Sequence, residues 1–436
     1  MHPKALLEAC TELVRQALTF THPADAVVSR FFRQQHGKSA YGSRDRAVLA
    51  ETLYHVLRHK LRYEHLAPSG SGPRERRLAI LGFAQHLQDQ RAGQEGATDF
   101  LKSALSETEK NWLDACLAID LNQLLDRHRY SLPDWLDETL RVQCGSPQDY
   151  QALAAGLLQT APLDLRVNDL SDRRVDVQAE LALLGWPCQA TPYSPWGLRL
   201  QGKPALTRSD AFARGAIEVQ DEGSQLLALL VEAKRGEMVV DFCAGAGGKT
   251  LALGAQMRST GRLYAWDTSA HRLDALKPRL ARSRLSNVHP SVIAHERDER
   301  VKRLNGKIDR VLVDAPCSGL GTLRRNPDLK WRQNAKAVLE MQARQEAILS
   351  SAARLLKPGG RLVYATCSLL QAENEQVVSA FDAAHPSWRP IPAEQVLARQ
   401  GVAQASDLCA GDGRFMRLWP HRHGTDGFFA SIWEAA

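Results

Sequence analysis

Two cysteines stand where thiols could do covalent chemistry, each after a run of residues typical of a buried strand. Cys317 follows DRVLVDAP, Cys367 follows RLVYAT, and small residues flank both. A single cysteine after a strand is usually a packed apolar side chain, because cysteine is among the most buried residue types. Two at neighbouring strand ends need another explanation. No histidine stands beside either cysteine, so a metal site is not indicated. Nucleophilic catalysis by a thiolate is the chemistry that remains.

A glycine-rich turn, CAGAGGKT at 243–250, joins another strand-like run to the helical stretch TLALGAQM. Gly245, Gly247 and Gly248 permit positive φ and a close approach of the backbone to a ligand. A phosphate-binding loop, as in a nucleotide hydrolase, would need a glycine at position 243, where a cysteine stands. A dinucleotide-binding loop would need a glycine in place of Thr250. Both alternatives fail by one residue.

Asp267 ends the next strand-like run, about 20 residues after the glycine turn, where a carboxylate can accept hydrogen bonds from both hydroxyls of a ribose. The alternative is a helix N-cap for the following TSAHRLDAL. Because the carboxylate follows a glycine-rich first turn, we expect a ligand that carries an adenosyl ribose.

Residues 213–436 alternate short β-rich runs with helical stretches, and this pattern predicts an α/β domain. The strand-like runs are EMVVDFC, RLYAWD, HPSVIA, DRVLVDAPC, RLVYATC and GFFASIWE. Helices between strands imply a doubly wound, mostly parallel sheet whose ligand crevice lies beyond the carboxyl ends of the strands. The cysteines, the glycine turn and Asp267 all stand at such ends.

The chain upstream of this domain has two further regions. Residues 1–125 have helical periodicity, and RDRAVLAETLYHVLRHK predicts an amphipathic helix with Ser43 as N-cap. Its predicted apolar face comprises Val48, Leu49, Leu53, Val56 and Leu57. Residues 126–212 begin with helices and then read as strand, helix and hairpin, a small α+β segment of a kind that often binds RNA.

Composition places the chain among globular proteins. It has 436 residues, of which 44% are apolar and 24% charged, and no run approaches 18 consecutive apolar residues, so a membrane-spanning protein is excluded. Glu8 and Glu12 interrupt the N-terminal apolar pattern, whereas an export signal has an uninterrupted apolar run, so we expect a cytoplasmic protein. We also expect a monomer. The net charge of +7 fits a polyanionic partner without requiring one.

The motifs VVDFCAGAGGKT, DAPCSG and YATCS, in this order and spacing, resemble those of the NOL1/NOP2/sun family of RNA (cytosine-5) methyltransferases. The similarity extends from VQDEGSQLLALL to the final DGFFASIWE. LPDWL and LRVN are similar to the family's intermediate region, and SRDRAVLAETLYHVLR resembles the NusB-like domain of bacterial RsmB-type enzymes. The resemblance implies a Rossmann-like class I methyltransferase domain after a small α+β segment and an all-α NusB-like domain.

The resemblance also implies the cofactor and the role of each cysteine. S-adenosyl-L-methionine would be the methyl donor, Cys367 the nucleophile, and Cys317 the residue that releases the product. Asp267 would contact the ribose, Arg272 matches a frequent basic residue, and Asp298 would lie near the adenine, with Glu296 as the alternative. The remaining residues implied to bind the cofactor are Cys243, Ala244, Gly245, Ala246, Gly247, Gly248, Lys249 and Asp314. In the family's first motif, CAAPGGKT, Ala-Pro stands where this chain has Gly245 and Ala246.

The chemistry of cytosine explains why two thiols would be wanted. C5 is a poor nucleophile until a thiolate adds at C6, and that adduct must later be undone. At a thiol pKa of about 8.5 little thiolate exists at neutral pH, and Lys249 is the candidate positive charge that favours it. Asp314 could hydrogen-bond the cytosine edge or stabilise a protonated N3.

RNA is the expected partner, with its target base turned out of any stack. After the PCSG turn, the segment GTLRRNPDLKWR predicts an exposed strip that contacts phosphates and stacks on bases. Its residues are Arg324, Arg325, Lys330, Trp331 and Arg332. The RsmB-like arrangement favours 16S rRNA as the substrate, with tRNA and 23S rRNA as alternatives. Two alternative functions are of a different kind. One is a nucleotide hydrolase, and the other is an RNA-binding assembly factor that has lost catalysis.

Overall fold

The computed structural model describes residues 1–34, 41–91, 94 and 96–436 of the chain. Contacts between residues divide the chain into two compact units. Unit 1 contains Met1–Gln159 and a later segment, Leu323–Ala335, and unit 2 contains Thr160–Thr322 and Lys336–Ala436. The chain therefore leaves unit 2 after Thr322 and rejoins it at Lys336.

Unit 1 is helical, and no strand occurs in the part of it that the structure describes. Its helices before residue 160 are α1 (Pro3–Ala17), α2 (Ala24–Gln34), α3 (Ser43–Arg58), α4 (Lys60–Leu66), α5 (Arg74–Gln90), α6 (Asp99–Lys102), α7 (Glu107–Leu117), α8 (Asp126–Tyr130), α9 (Asp134–Gln143) and α10 (Pro147–Gly156). Helices α1, α3 and α5 contribute most of the buried apolar side chains of its core.

Helix α3 covers the stretch that was predicted to be amphipathic. Four of the five residues of the predicted face are buried and Val48 is half-buried. The prediction of Ser43 as N-cap is wrong by one residue, because the helix begins at Ser43 and Gly42 occupies the cap position. The Asp45 carboxylate accepts a hydrogen bond from the Gly42 N–H at 3.3 Å, which is the half of a capping box that the third helical residue supplies.

Unit 2 begins with a small antiparallel sheet in the strand order β2-β3-β1-β4. Its strands are β1 (Leu163–Val167), β2 (Cys188–Ala190), β3 (Gly197–Leu200) and β4 (Ile217–Val219). The predicted strand, helix and hairpin are present, but β4 lies beyond the predicted boundary at residue 212 and pairs with β1. The predicted boundary at residue 125 also differs from the contact units, because α8, α9 and α10 belong to unit 1.

The second sheet of unit 2 has nine strands, and every strand-like run predicted from the sequence is one of them. They are β5 (Met238–Asp241), β6 (Arg262–Asp267), β7 (Val288–Val292), β8 (Ile308–Asp314), β9 (Leu356–Thr366), β10 (Arg389–Pro390), β11 (Cys409–Ala410), β12 (Phe415–Leu418) and β13 (Phe428–Glu434). The three that the sequence did not predict, β10, β11 and β12, have two to four residues each.

The strand order of this sheet is β11-β12-β13-β9-β8-β5-β6-β7, with β10 paired to β13. Strands β5 to β9 are parallel, and β13 runs antiparallel to β9. The predicted doubly wound sheet is confirmed, with a parallel core and an antiparallel edge. Because the chain continues from β5 to β6 on one side and adds β8 on the other, the loops after β5 and β8 diverge and leave a crevice.

Helices cover both faces of this sheet. The helices of unit 2 are α11 (Arg174–Leu183), α12 (Asp210–Ala213), α13 (Glu222–Val231), α14 (Gly248–Gln256), α15 (Ala270–Ser283), α16 (Glu299–Lys302), α18 (Ala335–Ala353), α19 (Glu375–Ala384), α20 (Ala393–Arg399) and α21 (Pro420–His423), and α17 (Leu329–Arg332) lies in the later segment of unit 1. Val239 belongs to the hydrophobic cluster that includes residues of α13, α14, α15 and α20, whereas its neighbour Val240 belongs to the cluster that includes residues of α18 and α19, as the alternation of side chains along a strand requires. Among the described residues, no helix meets the length and hydrophobicity needed to cross a membrane.

Two glycines of the turn after β5 differ in the space around them. Both have positive φ, 55° for Gly245 and 82° for Gly247. A Cβ on Gly247 would lie 2.1 Å from Cδ1 of the buried Leu276, whereas a Cβ on Gly245 would have no described atom within 4 Å.

We predict that Gly247→Ala destabilises the protein more than Gly245→Ala. Both variants place alanine in left-handed backbone at a cost of about 1 kcal/mol, and only Gly247→Ala also displaces a core leucine, which adds about 1 to 3 kcal/mol. Urea unfolding followed by circular dichroism measures the difference. Equal free energies of unfolding for the two variants would contradict this account of the turn.

Candidate active site

The structure brings the two predicted thiols into contact. Cys367 directly follows β9, Cys317 lies three residues after the end of β8, and their Sγ atoms are 3.1 Å apart. The two strands pair in parallel, with Asp314 opposite Ala365, so their carboxyl ends lie side by side. The contact of the sulfur atoms therefore follows from the pairing of the strands.

Backbone hydrogen bonds hold the two cysteine loops against each other. The Ala315 N–H donates to the Ala365 carbonyl at 2.8 Å, and the Gly321 N–H donates to the Cys367 carbonyl at 2.9 Å. Gly321 has no room for a side chain, since a Cβ there would lie 2.1 Å from the Gly427 carbonyl oxygen and 2.8 Å from that of Cys367. A glycine is required here for the close approach of three backbone segments.

The surroundings of Cys317 raise its affinity for a proton. The hydrogen bond with Cys367 raises the pKa of Cys317 well above its ordinary value, and burial and the charge of Glu373 act in the same direction. Cys317 therefore keeps its proton at neutral pH. A thiol that stays protonated is a poor nucleophile, so Cys317 in this state is not suited to the attack.

Lys249 forms an ion pair with Asp314 in the crevice between β5 and β8. Its Nζ donates to Oδ2 of Asp314 at 2.8 Å. Burial alone would lower the pKa of Lys249, but the charges of Asp314 and Cys367 outweigh it, and the pKa is raised. Lys249 thus stays an ammonium ion at neutral pH and supplies positive charge that favours a Cys367 thiolate.

The glycine turn and Asp267 form one hydrogen-bonded group. Oδ2 of Asp267 accepts from the Gly245 N–H at 2.8 Å, and Oδ1 accepts from the Ser269 N–H at 2.7 Å. The N-cap of α15 is Ser269, whose hydroxyl accepts from the Arg272 N–H, so the alternative of Asp267 as the N-cap is wrong. The carboxylate of Asp267 lies beside the open Cα of Gly245.

Hydrogen bonds fix the backbone of the turn at Ala244 and Ala246, and Cys243 beside them is half-buried. Ala244 is bound through its N–H to the Trp266 carbonyl at 2.8 Å, and the Ala246 carbonyl accepts from Nη1 of Arg279 at 2.6 Å. Burial raises the pKa of the Cys243 thiol well above its ordinary value, and nearby carboxylates add to the effect. Cys243 is therefore a neutral thiol in the wall of the crevice.

Asp298 caps the short helix α16. Its Oδ1 accepts from the Arg300 N–H and its Oδ2 from the Ala294 N–H, both at 2.9 Å. These two hydrogen bonds lower the pKa of Asp298. Glu296, the alternative, is half-buried in the same loop, and Arg272 is exposed on α15.

The prediction that the basic and aromatic strip at 324–332 is exposed is wrong, because none of its five residues is exposed. Arg324 and Lys330 are buried, at 6% and 3% exposure, and Trp331 is half-buried with its indole N–H donating to the Leu57 carbonyl at 2.7 Å. Nζ of Lys330 donates to the Arg58 carbonyl at 2.8 Å. These side chains pack into the helical core of unit 1.

Burial changes the chemistry of the lysine in this segment. Burial and the charges of Arg58 and Lys60 lower the pKa of Lys330 well below its ordinary value. Arg325 and Arg332 are half-buried, and Nη1 of Arg332 lies 3.4 Å from the carboxylate of Asp328. The basic and aromatic residues that predicted RNA contact therefore belong to a segment that packs within unit 1.

Sequence reasoning missed one buried carboxylate of the crevice. Asp241 ends β5, is 1% exposed, and accepts from the Thr250 hydroxyl through Oδ2 at 2.7 Å. Its Oδ1 has no hydrogen-bond partner among the described residues. Burial raises the pKa of Asp241 to about 7, and the charge of Asp314 acts in the same direction. Its place at the end of an otherwise apolar run, before the glycine turn, could have identified it.

Comparison with known proteins assigns the chain to a family. A family model described as 16S rRNA methyltransferase RsmB/F matches residues 228–434, and a model of an RsmF/B-like ferredoxin-like domain matches residues 132–207. The "Probable ribosomal RNA small subunit methyltransferase B" of Synechocystis sp. is 38% identical over 315 residues, which are 71% of this chain and 68% of that protein. The chain belongs to the RsmB/F family of methyltransferases. The resemblance seen in its three motifs is confirmed.

Other RsmB/F relatives extend the similarity toward the whole chain. The protein of the same description from Bacillus subtilis is 27% identical over 408 residues, 88% of this chain and 89% of its own length. A solved methyltransferase homologue from Pyrococcus horikoshii is 26% identical, covers 73% of this chain and 100% of its own, and has a TM-score of 0.61. The catalytic and ferredoxin-like parts of the RsmB/F architecture are both represented here.

The raised pKa of Asp241 makes a prediction about stability. Between about pH 4 and pH 7 the folded protein holds a proton on Asp241 that the unfolded chain has released. Its contribution to stability is therefore fully present below the unfolded pKa and is lost as the pH rises to about 7. The free energy of unfolding should fall by up to about 1.4 kcal/mol per pH unit relative to Asp241→Asn, whose amide does not titrate.

Denaturant unfolding of both proteins across that pH range measures the difference. The Thr250 hydroxyl can donate to the carbonyl of an asparagine as it does to the carboxyl, so the packing of the variant is matched. Parallel stability curves for the two proteins would show that Asp241 is not protonated when folded.

Proposed function

We propose that this RsmB/F protein transfers a methyl group from S-adenosyl-L-methionine to C5 of a cytosine in RNA. The reaction would proceed through a covalent bond between Cys367 and C6 of the base. The observation that carries the proposal is the 3.1 Å contact between the two thiols at the ends of β8 and β9. A reaction that forms a carbon–sulfur bond to the base and then breaks it can use one thiol for each step.

The crevice after β5 has the features that S-adenosyl-L-methionine needs. The open space at Gly245 allows a ligand to approach the backbone of 243–249, and the Asp267 carboxylate next to it could accept hydrogen bonds from the ribose hydroxyls. Asp298, or Glu296 in the same loop, would lie on the adenine side. When bound, this cofactor supplies a methyl group on a positively charged sulfur, which carbon nucleophiles attack.

Cys367 is assigned the role of nucleophile. Lys249 interacts electrostatically with Cys367 and supplies the positive charge that a thiolate nucleophile needs nearby, whereas Cys317 keeps its proton. Addition of this thiolate to C6 moves electrons into the ring and makes C5 nucleophilic. Asp314, which is held by Lys249 at 2.8 Å, would stabilise the proton that N3 gains in this step.

Cys317 is assigned the release step, and its proton affinity changes in the direction that this step requires. Once Cys367 is bonded to C6, its sulfur is neutral, and the hydrogen bond that raises the pKa of Cys317 is lost. Cys317 can then lose its own proton to solvent water and, as a thiolate, accept the proton from C5. The electrons of that C–H bond restore the C5–C6 double bond and expel Cys367 as a thiolate.

RNA is the proposed substrate class, with 16S rRNA as the most specific assignment. The names of the Synechocystis and Bacillus relatives specify the ribosomal small subunit. The target base must leave its stack to meet Cys367, since C6 is inaccessible to a thiol within a helix. Of the residues predicted to contact RNA, Arg325 and Arg332 are the two half-buried arginines, and we retain them for phosphate binding.

The cysteine assignments predict opposite results for two variants. Cys367→Ala should abolish methyl transfer while binding of S-adenosyl-L-methionine, measured by calorimetry, survives. Cys317→Ala should form the bond to C6 and fail to break it, so that RNA stays attached to the protein on a denaturing gel. Absence of retained RNA with Cys317→Ala, in a preparation that binds the cofactor, would argue against this mechanism. Binding of ATP in place of S-adenosyl-L-methionine would favour a nucleotide hydrolase.

The substrate assignment predicts which RNA changes in a deletion strain. Bisulfite sequencing of total RNA should lose a 5-methylcytosine in 16S rRNA, and the plasmid-borne gene should restore it. A loss confined to tRNA or 23S rRNA would keep the chemistry and overturn the 16S assignment. Restoration by the Cys367→Ala gene would exclude Cys367 as the nucleophile.

A further inference from the structure

A carboxylate that the mechanism above does not use lies behind both cysteines. Glu373, in the single turn Gln371–Glu373 before α19, is fully buried at 0% exposure. Its Oε1 accepts from the Ser318 N–H at 2.7 Å and from Nε2 of Gln345 at 3.1 Å. Its Oε2 accepts from the hydroxyls of Ser318 and Ser368. Four donors thus converge on one side chain.

The partners of Glu373 are the residues next to the thiols. Ser318 follows Cys317, Ser368 follows Cys367, and the two hydroxyl oxygens are also 3.2 Å from each other. One carboxylate therefore joins two loops that are 50 residues apart in the chain. Movement of either loop would break at least one of these hydrogen bonds.

The adjoining residue secures the Cys367 loop from its other side. Oδ1 of Asn374 accepts from the Thr366 hydroxyl at 2.5 Å, and its Nδ2 donates to the Ser368 carbonyl at 3.0 Å. These two bonds bracket Cys367 on both sides. The pair at 373 and 374 thus contacts the chain immediately before and after the nucleophile, and also the loop that carries the second thiol.

Joining two loops through a buried carboxylate carries a large desolvation free energy. Among the described residues its hydrogen-bond partners are all uncharged, and a buried carboxylate without a countercharge costs several kcal/mol of desolvation. A neutral side chain could join the loops at a lower cost. What a carboxylate adds is its charge, and that charge helps to raise the pKa of Cys317.

We propose that Glu373 is a positioning residue for the methyl-transfer reaction, which through Ser318 and Ser368 holds the thiol of Cys317 in contact with Cys367. The proposal rests on the proposed function, because it assigns Glu373 to the reaction of those two thiols. The negative charge keeps the proton on Cys317 until Cys367 has reacted, and the four hydrogen bonds keep the sulfur atoms in contact.

Two variants separate the charge of Glu373 from its hydrogen bonds. In Glu373→Gln the amide oxygen can still accept from the Ser318 N–H, and the amide NH2 can donate to the two serine hydroxyls once they rotate to accept. This variant keeps the connection between the loops and removes the charge. Glu373→Ala removes both. The matched control is Glu375→Gln, two residues on, whose carboxylate lies 3.5 Å from Arg417.

The first measurement is the pH dependence of alkylation of Cys317 by iodoacetamide, resolved by peptide mass spectrometry in the full-length protein. Glu373→Gln should lower the alkylation midpoint by about one pH unit, and Glu375→Gln should leave it unchanged. A residue that served folding alone would not move this midpoint in a protein that remains folded. An unchanged midpoint in Glu373→Gln would overturn the role of the charge.

The second measurement is methyl transfer to RNA. Glu373→Ala should lower kcat at least tenfold, as loss of positioning does, with the KM for S-adenosyl-L-methionine within about twofold of the wild-type value. Glu375→Gln should match the wild type. A wild-type kcat in both Glu373 variants, or an equal fall in the control, would overturn the proposal.

The two measurements distinguish the failure of this proposal from the failure of the proposed function. If the wild-type protein methylates no RNA, the proposed function is wrong, and the alkylation midpoints still decide whether Glu373 controls Cys317. If Glu373→Ala does not fold, the alkylation midpoint of Glu373→Gln still decides whether the charge of Glu373 holds the proton on Cys317.

Discussion

The parallel pairing of β8 with β9 sets the position of every other group in the candidate active site. It places the carboxyl ends of two strands side by side, and Cys317 and Cys367 therefore meet although 50 residues separate them. The neighbouring β5 ends in the glycine turn, so this turn lies at the same sheet edge as the thiols. A thiol on a mobile loop could not be held to this contact, whereas strand ends are fixed by the hydrogen bonds of the sheet.

Charge in this crevice is arranged so that the groups have different proton affinities. The crevice contains one ammonium, Lys249, among the carboxylates of Asp241, Asp314 and Glu373. Burial and mutual repulsion keep a proton on Asp241 up to about pH 7, while Asp314 retains Lys249 as its partner. Reactions that move a proton at each step need groups with separated pKa values, and burial beside like charges is the means by which proteins separate them.

The helical unit shows how a local pattern can mislead. Arginine, lysine and tryptophan at 324–332 have the composition of an RNA-contacting strip, and in isolation nothing in that stretch distinguishes a solvated strip from an anchored one. Lys330 and Trp331 instead satisfy backbone carbonyls near the end of α3, Arg58 and Leu57. Their long apolar stems and polar tips suit them for either role, and the acceptors that decide between the roles lie more than 270 residues away in the sequence.

The sequence by itself determined the α/β character of unit 2, its main strands, the family motifs and the pair of thiols, because alternation, glycine turns and residues at strand ends are local properties. It also determined that α3 is amphipathic, although its cap differs by one residue. Only the tertiary structure decided that β4 completes the small sheet, that Leu323–Ala335 belongs to the helical unit, and that Glu373 and Asp241 are buried. Burial and hydrogen-bond partners depend on residues far apart in the chain, and no pattern within a short window specifies which of them will meet.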